Sequence, residues 1–314
     1  MVKQSKKYES YECTALCLDR RNFTPTLEKY PTEEFYELLH NVYCAGFNIA
    51  NCLAKKDKNK HFYINSTGDG FICVFFDDSA HYIKAYLMGI LLLKKLPDLL
   101  NKFYSNKKDI SCDTTYKFGI GVESGNAVRI KTSGRSNAIE TLIGDAINLA
   151  ARIESKTKEY TDSPLIYGEV LNQKLSLNIF GKDYDSLTKK AQNPSSEEEL
   201  NGVNSKMNEI NASLLSDYLH KHCIKGHKPG ERLYKLSISM LKNLDINNWS
   251  VLSTTKMPAT VSKVFKRLWK ITDIWDLAKI PQELYMVQSK QGFSKAGAGL
   301  SEVRYPLVEI DSKL

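Results

Sequence analysis

The pattern of apolar and polar positions at the start of the chain predicts strands that end in acidic residues. Residues 11–19 (YECTALCLD) alternate with a period of two, which predicts a strand whose Cys side chains share one face with Asp19. Farther along, residues 61–64 and the apolar run 72–76 flank a Gly-Asp-Gly turn that carries Asp69. This arrangement is typical of a β-hairpin, because Gly and Asp are common turn residues between apolar strands.

The later pattern changes from strand-like to helical. Residues 140–154 (ETLIGDAINLAARIE) begin as a strand and continue with helical spacing, which places Asn148 and Arg152 on one helical face. The apolar run Ala85–Leu93 predicts a core helix, since it is far shorter than the roughly 20 residues that a bilayer span needs. We therefore expect no membrane association.

A polar segment interrupts the apolar pattern before the last predicted strand. We expect an insertion over about 181–215, of which residues 181–198 are predicted to be mobile. From Leu200 to Leu214, apolar residues recur every three or four positions, which predicts a helix that packs on the core. The strand 232–236 follows.

The acidic strand ends and the Asn-Arg helix are the candidate chemistry. Two converging aspartates provide the oxygen ligands that Mg²⁺ or Mn²⁺ prefers, and two such ions can serve phosphoryl transfer. Arg152 can stabilise charge on a transferring phosphoryl group, and Asn148 can orient a ribose. Each feature alone is common in proteins of other functions, so their combination and order carry the interpretation.

Four motifs together resemble the class III nucleotide cyclases, in order and in spacing, over about residues 11–238. The motifs are Asp19-Arg20-Arg21-Asn22-Phe23-Thr24, Gly68-Asp69-Gly70-Phe71, Phe118–Gly125 and Gly144–Glu154. The resemblance implies an α+β, ferredoxin-like sandwich over residues 1–240, with an antiparallel sheet and helices on one face. It also implies that Asn22 replaces the usual glycine in the phosphate-facing turn next to Phe23, which Asn tolerates because it adopts left-handed backbone.

The resemblance implies roles for single residues. Asp19 and Asp69, helped by the carbonyl of Arg20, would hold two divalent cations, Mn²⁺ or Mg²⁺. Asn148 and Arg152 would come from the opposite subunit of a head-to-tail homodimer, so that each of two sites is composite. A lysine that contacts the nucleoside triphosphate would be Lys225 or Lys228, and both remain candidates.

The residues expected to read the base depart from the adenylate-specific pattern. Asn65 stands where a lysine is usual, and Thr141 is its predicted partner; these neutral groups are compatible with a smaller base. The first motif is similar to that of the pyrimidine cyclases of bacterial Pycsar antiphage defence. We therefore expect UTP or CTP to be cyclised to 3′,5′-cyclic UMP or CMP, with a separate effector protein as receptor. The alternative is an adenylate cyclase that makes cyclic AMP.

Composition adds limits on location and partners. The 44 Lys and Arg against 36 Asp and Glu give a net charge of +8, which would attract a nucleoside triphosphate. Seven cysteines without a Cys-x-x-Cys pair favour reduced thiols in a cytoplasmic protein and argue against a zinc site at His220, His222 and Cys223. The polar N-terminus lacks an apolar signal region.

Residues 241–314 lie outside the cyclase resemblance. They predict a small all-α module that resembles a helix-hairpin-helix, with a glycine hairpin at 292–297. Such modules bind nucleic acid, bind proteins or simply pack on a domain. A function of another class therefore remains open: a non-catalytic nucleotide sensor with a nucleic-acid- or protein-binding C-terminal module.

Overall fold

The computed structural model describes residues 8–29, 33–54, 62–76, 79–105, 117–133, 138–160, 162–224 and 230–238, together with Val264 and Arg267. The strands are β1 Tyr8–Arg20, β2 Phe62–Ser66, β3 Phe71–Phe76, β4 Phe118–Ser133, β5 Ala138–Ile143, β6 Leu165–Gly168, β7 Ser216–His222 and β8 Glu231–Leu236. The helices are α1 Phe23–Lys29, α2 Glu33–Leu53, α3 His81–Ser105, α4 Asp145–Lys156, α5 Glu169–Phe180, α6 Lys182–Gln192 and α7 Glu197–Ser213.

One mixed sheet organises the described residues. Its strand order is β2-β3-β1-β4-β6-β8-β7, and β5 pairs with β4 beside this path. Each of these pairs is antiparallel except β4 with β6. Because β1 pairs with both β3 and β4, it lies inside the sheet, and its last residues face the turn between β2 and β3. The predicted α+β fold, hairpin and late strand are confirmed.

Helices cover both faces of the sheet, which corrects the expectation of helices on one face. The even-numbered residues Leu16 and Leu18 of β1 face a large core built with α2 and α3. The odd-numbered Cys13, Ala15 and Cys17 face a second core built with α4. A central strand has two apolar faces because its side chains alternate, so both faces need a helical layer.

Helix α4 approaches the sheet closely because β4 is glycine-rich there. A Cβ atom on Gly121 would lie 2.1 Å from the carbonyl oxygen of Ala150 and 2.3 Å from the amide nitrogen of Glu154. No side chain larger than hydrogen fits between the two backbones. The glycines of the Phe118–Gly125 motif therefore act structurally, by bringing α4 against the strand that adjoins β1.

The segment predicted to be a mobile insertion is largely helical, and that it is an insertion stays a prediction. Helix α6 occupies Lys182–Gln192, and α7 begins after Ser196, whose side chain accepts a hydrogen bond from the Glu199 amide at 3.1 Å. The polar residues of α6 belong to the exposed side of the helix, and Tyr184 on its other side is buried. The predicted core packing of α7 is confirmed through buried Val203 and Ile210.

The proposed C-terminal module lies almost wholly outside the described residues. Val264 is buried in the larger core, and Arg267 donates a hydrogen bond to the carbonyl of Ile179 at 3.0 Å. Within the described part of the chain, no helix is both long enough and apolar enough to cross a membrane.

Candidate active site

The candidate active site is built where β1 ends beside the β2–β3 turn. Asp19 is the penultimate residue of β1, and Asp69 lies in the turn, one residue before Gly70. Leu18 pairs with Phe71, which brings the two aspartates together. Their carboxyl groups are close enough to share a hydrogen bond. The predicted convergence of the two strand-end aspartates is therefore confirmed.

This proximity changes the acid strength of Asp19. Partial burial, then the charge and hydrogen bond of Asp69, raises the pKa of Asp19 to about 6. Glu154, buried on α4, has its pKa raised to about 7 by burial and then by the charge of Asp19. Oε1 of Glu154 is buried without a hydrogen-bond partner. The site thus concentrates negative charge that a bound cation would relieve.

Two carboxylates fit the partial ligand set of a hard divalent cation. No group of three or more His, Cys, Asp and Glu side chains forms a metal site within the described residues. Mg²⁺ and Mn²⁺ complete their coordination with waters and substrate phosphates, so one or two carboxylates from the protein suffice. The ammonium group of Lys158 lies 3.8 Å from a carboxylate oxygen of Asp19, on the exposed side of the site.

Arg20 and Phe23 are packed into the protein behind the aspartates. The guanidinium of Arg20, which is 2% exposed, donates to the hydroxyl of Tyr104 at 2.9 Å and lies over the ring of Phe35. Phe23 also packs on Phe35, with ring centroids 5.3 Å apart. Asn22, between them, has φ 57°, so the expected left-handed turn is present. This packing holds the backbone after Asp19 in one place.

A second arginine joins the end of α4 to the same loop. Arg21 donates from Nη2 to the carbonyl and the hydroxyl oxygens of Thr157, at 2.7 and 3.1 Å. Thr157 immediately follows α4, the helix that carries Asn148 and Arg152. The loop after Asp19 and the C-terminal end of α4 are therefore tied together within one subunit.

Asn148 and Arg152 lie on the side of α4 that does not pack on the sheet. Asn148 is exposed and Arg152 is half-exposed, whereas Leu149, Ala150 and Ile153 are buried. This orientation is compatible with side chains that serve a neighbouring subunit.

The predicted base-reading residues lie on β2 and β5. Asn65 is exposed on β2, and Thr141 is half-buried on β5. Burial raises the pKa of Tyr63, and a hydrogen bond to Thr141 opposes that change, so the Tyr63 side chain bridges the two strands. Tyr63 lies two residues before Asn65 and thus on the same side of β2. Lys225 and Lys228 lie outside the described residues.

Several residues of the site had no assigned role in the sequence. Arg21 and Glu154 are inside the recognised motifs, and their position there was the available signal. Tyr63 could have been found from its spacing to Asn65. Lys158 had no signal, because its approach to Asp19 depends on the packing of α4.

The comparisons with known proteins point in the same direction as the motifs. An adenylate cyclase of Anabaena cylindrica is 29% identical over 159 residues, covering 50% of this chain and 30% of that protein. The terminal-differentiation specific adenylate cyclase of Dictyostelium discoideum is 30% identical over 151 residues, covering 47% of this chain and 6% of that protein. The chain thus spans less than a third of the length of either relative.

Among solved structures, the adenylyl cyclase CyaB from P. aeruginosa is 17% identical, with a TM-score of 0.49, and covers 73% of this chain and 94% of that one. No protein-family model matches the chain. Over about half of its length the chain is therefore similar in sequence to adenylate cyclases, and its sheet and helices form the α+β fold that the motifs predict.

Proposed function

We propose that the protein is a nucleotide cyclase that converts a nucleoside triphosphate to a 3′,5′-cyclic nucleotide and pyrophosphate. The observation that carries this proposal is the convergence of Asp19 and Asp69 at the adjoining ends of β1 and the β2–β3 turn, where burial and then Asp69 raise the pKa of Asp19. Two divalent cations, Mn²⁺ or Mg²⁺, would supply activation of the ribose 3′-hydroxyl and neutralise charge on the leaving group. The protein's own residues position the cations and the substrate and stabilise the charge of the phosphates.

The α4 residues supply the rest of the chemistry in this proposal. Arg152 stabilises charge that develops on the α-phosphate, and Asn148 orients the ribose for in-line attack. Their place on the outer side of α4 supports a head-to-tail homodimer in which each site takes its aspartates from one subunit and Asn148 and Arg152 from the other. Lys225 or Lys228 would contact the triphosphate.

We propose a pyrimidine as the preferred base. Asn65 and Thr141 offer neutral donors and acceptors, and Tyr63 adds a bulky side chain next to Thr141. A bulky Tyr63 side chain beside Thr141 favours a smaller base over a purine in this proposal. The products would be cyclic UMP or cyclic CMP, which we propose serve antiphage defence through a separate effector protein. The adenylate cyclase relatives favour ATP as the alternative substrate.

The activity test compares all four ribonucleoside triphosphates with Mn²⁺, with products identified by mass spectrometry. We expect cyclic UMP or cyclic CMP; cyclic AMP alone would support the alternative, and no cyclic product would contradict the enzyme. Asp69→Asn and Arg152→Ala should each abolish turnover. Asp185→Asn and Arg232→Ala are matched controls, because both residues form surface ion pairs elsewhere, with Lys189 and Glu169.

Mixing the inactive variants tests the composite sites. Asp69→Asn and Arg152→Ala subunits in one heterodimer would form one intact site, so about a quarter of the wild-type activity should return after random exchange. Absence of recovery, with dimers present by size-exclusion chromatography, would contradict the shared site.

A further inference from the structure

Tyr43 of α2 lies beside the turn that carries Asp69. Its hydroxyl group donates a hydrogen bond to the carbonyl of Gly68, and it accepts one from the hydroxyl of Ser66 at 2.9 Å. The Ser66 hydroxyl in turn accepts from the amide of Gly68 at 3.2 Å. The hydroxyl groups of Tyr43 and Ser66 and the backbone of Gly68 thus form a closed hydrogen-bond network. Gly68 immediately precedes Asp69 in the chain.

Among the described residues, the exposed tip of the turn at Thr67 and Gly68 has few other restraints. One backbone hydrogen bond crosses it, from the Thr67 amide to the Gly70 carbonyl at 2.9 Å. Thr67 and Gly68 are exposed, and Gly68 has φ 98° with no atom within 4 Å of where a Cβ would lie. An exposed glycine turn has high conformational freedom, so an anchor from outside the turn matters for its geometry.

Helix α2 is a suitable anchor because it is long and well packed. It spans Glu33–Leu53, with Val42, Ala45 and Ile49 buried in the larger core, and the ring of Tyr43 packs against that core. The hydroxyl group therefore extends from a rigid helix to a turn that must hold Asp69 next to Asp19 against their mutual repulsion.

We propose that Tyr43 is a positioning residue for the metal-binding turn and that its hydroxyl group sets the affinity of the site for divalent cations. The proposal rests on the proposed function, in which Asp19 and Asp69 bind those cations. Groups that orient a ligand without touching the metal commonly change metal affinity when they are removed, by about 10-fold to 100-fold. The hydroxyl acts through Gly68 and Ser66 and need not contact substrate.

The test measures Mn²⁺ binding by the full chain from the electron paramagnetic resonance signal of free Mn²⁺, without nucleotide. Tyr43→Phe keeps the ring and removes the hydroxyl, and we expect Mn²⁺ to bind about tenfold more weakly. Tyr82→Phe is the matched control, because it also removes one tyrosine hydroxyl. The hydroxyl of Tyr82, on α3, accepts a hydrogen bond from Asn178 of α5 at 2.9 Å. Tyr82→Phe should bind Mn²⁺ as the wild type does.

A second variant separates positioning from general loss of structure. Ser66→Ala removes the other hydroxyl of the network from a strand end outside the core, and it should weaken Mn²⁺ binding as well. Combined with Tyr43→Phe, its effect should be smaller than the sum of the two, because both act through one network. Additive effects, or wild-type affinity in either folded variant, would overturn the proposal.

The failure of the proposed function gives a different result. If the wild type does not bind Mn²⁺, or if Asp69→Asn does not weaken its Mn²⁺ binding, the metal site itself is absent and both proposals are wrong. If the wild type binds Mn²⁺ through Asp69 and the Tyr43 hydroxyl has no effect, only the positioning role is wrong.

Discussion

Gly70→Ala should move Asp19 and Asp69 apart, although it replaces neither of these proposed metal ligands. Gly70 is buried where β3 begins, and a Cβ at this position would lie 1.8 Å from the carbonyl oxygen of Leu18 and 2.9 Å from the Cα of Asp19. Both neighbours are backbone atoms of β1, so no side-chain rotation can remove the clash. The ends of β1 and β3 must separate by roughly 1 Å or more, because protein interiors have no spare volume for the methyl group.

The magnitude follows from this displacement. An error of about 1 Å in the position of a reacting group can cost about 100-fold in rate, so we expect at least that loss of cyclase activity. The free energy of unfolding should fall by about 1–3 kcal/mol, which is typical of overpacking. Most of the protein would then remain folded, and the rate loss would exceed what the unfolded fraction explains.

The assay compares cyclic nucleotide formation with urea unfolding for Gly70→Ala and for Gly202→Ala. A Cβ on Gly202, in α7, would have no atom within 4 Å. Gly202→Ala should therefore raise the free energy of unfolding by about 0.5–1 kcal/mol and leave activity unchanged. If Gly70→Ala retains activity of the same order as the wild type, the close approach of the two strand ends is not needed for catalysis, and the reasoning is refuted.

Two further predictions concern stability. Asn22 has φ 57°, and alanine tolerates left-handed backbone less well than glycine does. In urea unfolding, Asn22→Ala should therefore be about 1 kcal/mol less stable than Asn22→Gly. Equal stability of the two variants would contradict the turn geometry. Burial raises the pKa of Glu123 from 4.5 to about 8, although Oε1 accepts from the amides of Ser124 and Leu171. The folded state thus keeps a proton that the unfolded state has lost, so the free energy of unfolding should fall from about pH 4.5 to 8 by up to about 1.4 kcal/mol per unit. Asp19 and Glu154, with raised pKa values of about 6 and 7, contribute to the lower part of this range. Glu123→Gln should therefore flatten the dependence mainly between about pH 7 and 8 in denaturation curves measured at several pH values, and an unchanged slope there would show that another group is responsible.

The local pattern of the sequence was sufficient for the elements that carry the chemistry. Alternation in β1 predicted the strand that ends at Asp19, and the Gly-Asp-Gly turn predicted the hairpin that presents Asp69. Helical spacing predicted that Asn148 and Arg152 share one face of α4. These features depend on residues that are neighbours in sequence, which is why spacing alone indicates them.

The same reasoning missed a helix where polarity was the main signal. Residues 181–198 were predicted to be mobile because they are polar, but most of them form α6, because a helix with one exposed side needs few apolar residues. The expectation of helices on one face was also wrong. The alternation in β1 already contained two apolar faces, but only the structure showed which helix covers each.

Tertiary structure decided the contacts that complete the candidate site. Arg21 meets Thr157 across 136 residues of sequence, and Tyr43 reaches Gly68 from a different helix. Such pairs are set by how α2 and α4 pack on the sheet, which in turn depends on glycine positions in β4 and on side-chain volumes in two cores. The sequence by itself indicated the candidate residues Asp19, Asp69, Asn148 and Arg152 and the elements on which they lie. Only the packing of those elements decided which carboxylates lie close to one another, because charge proximity is a property of the folded chain.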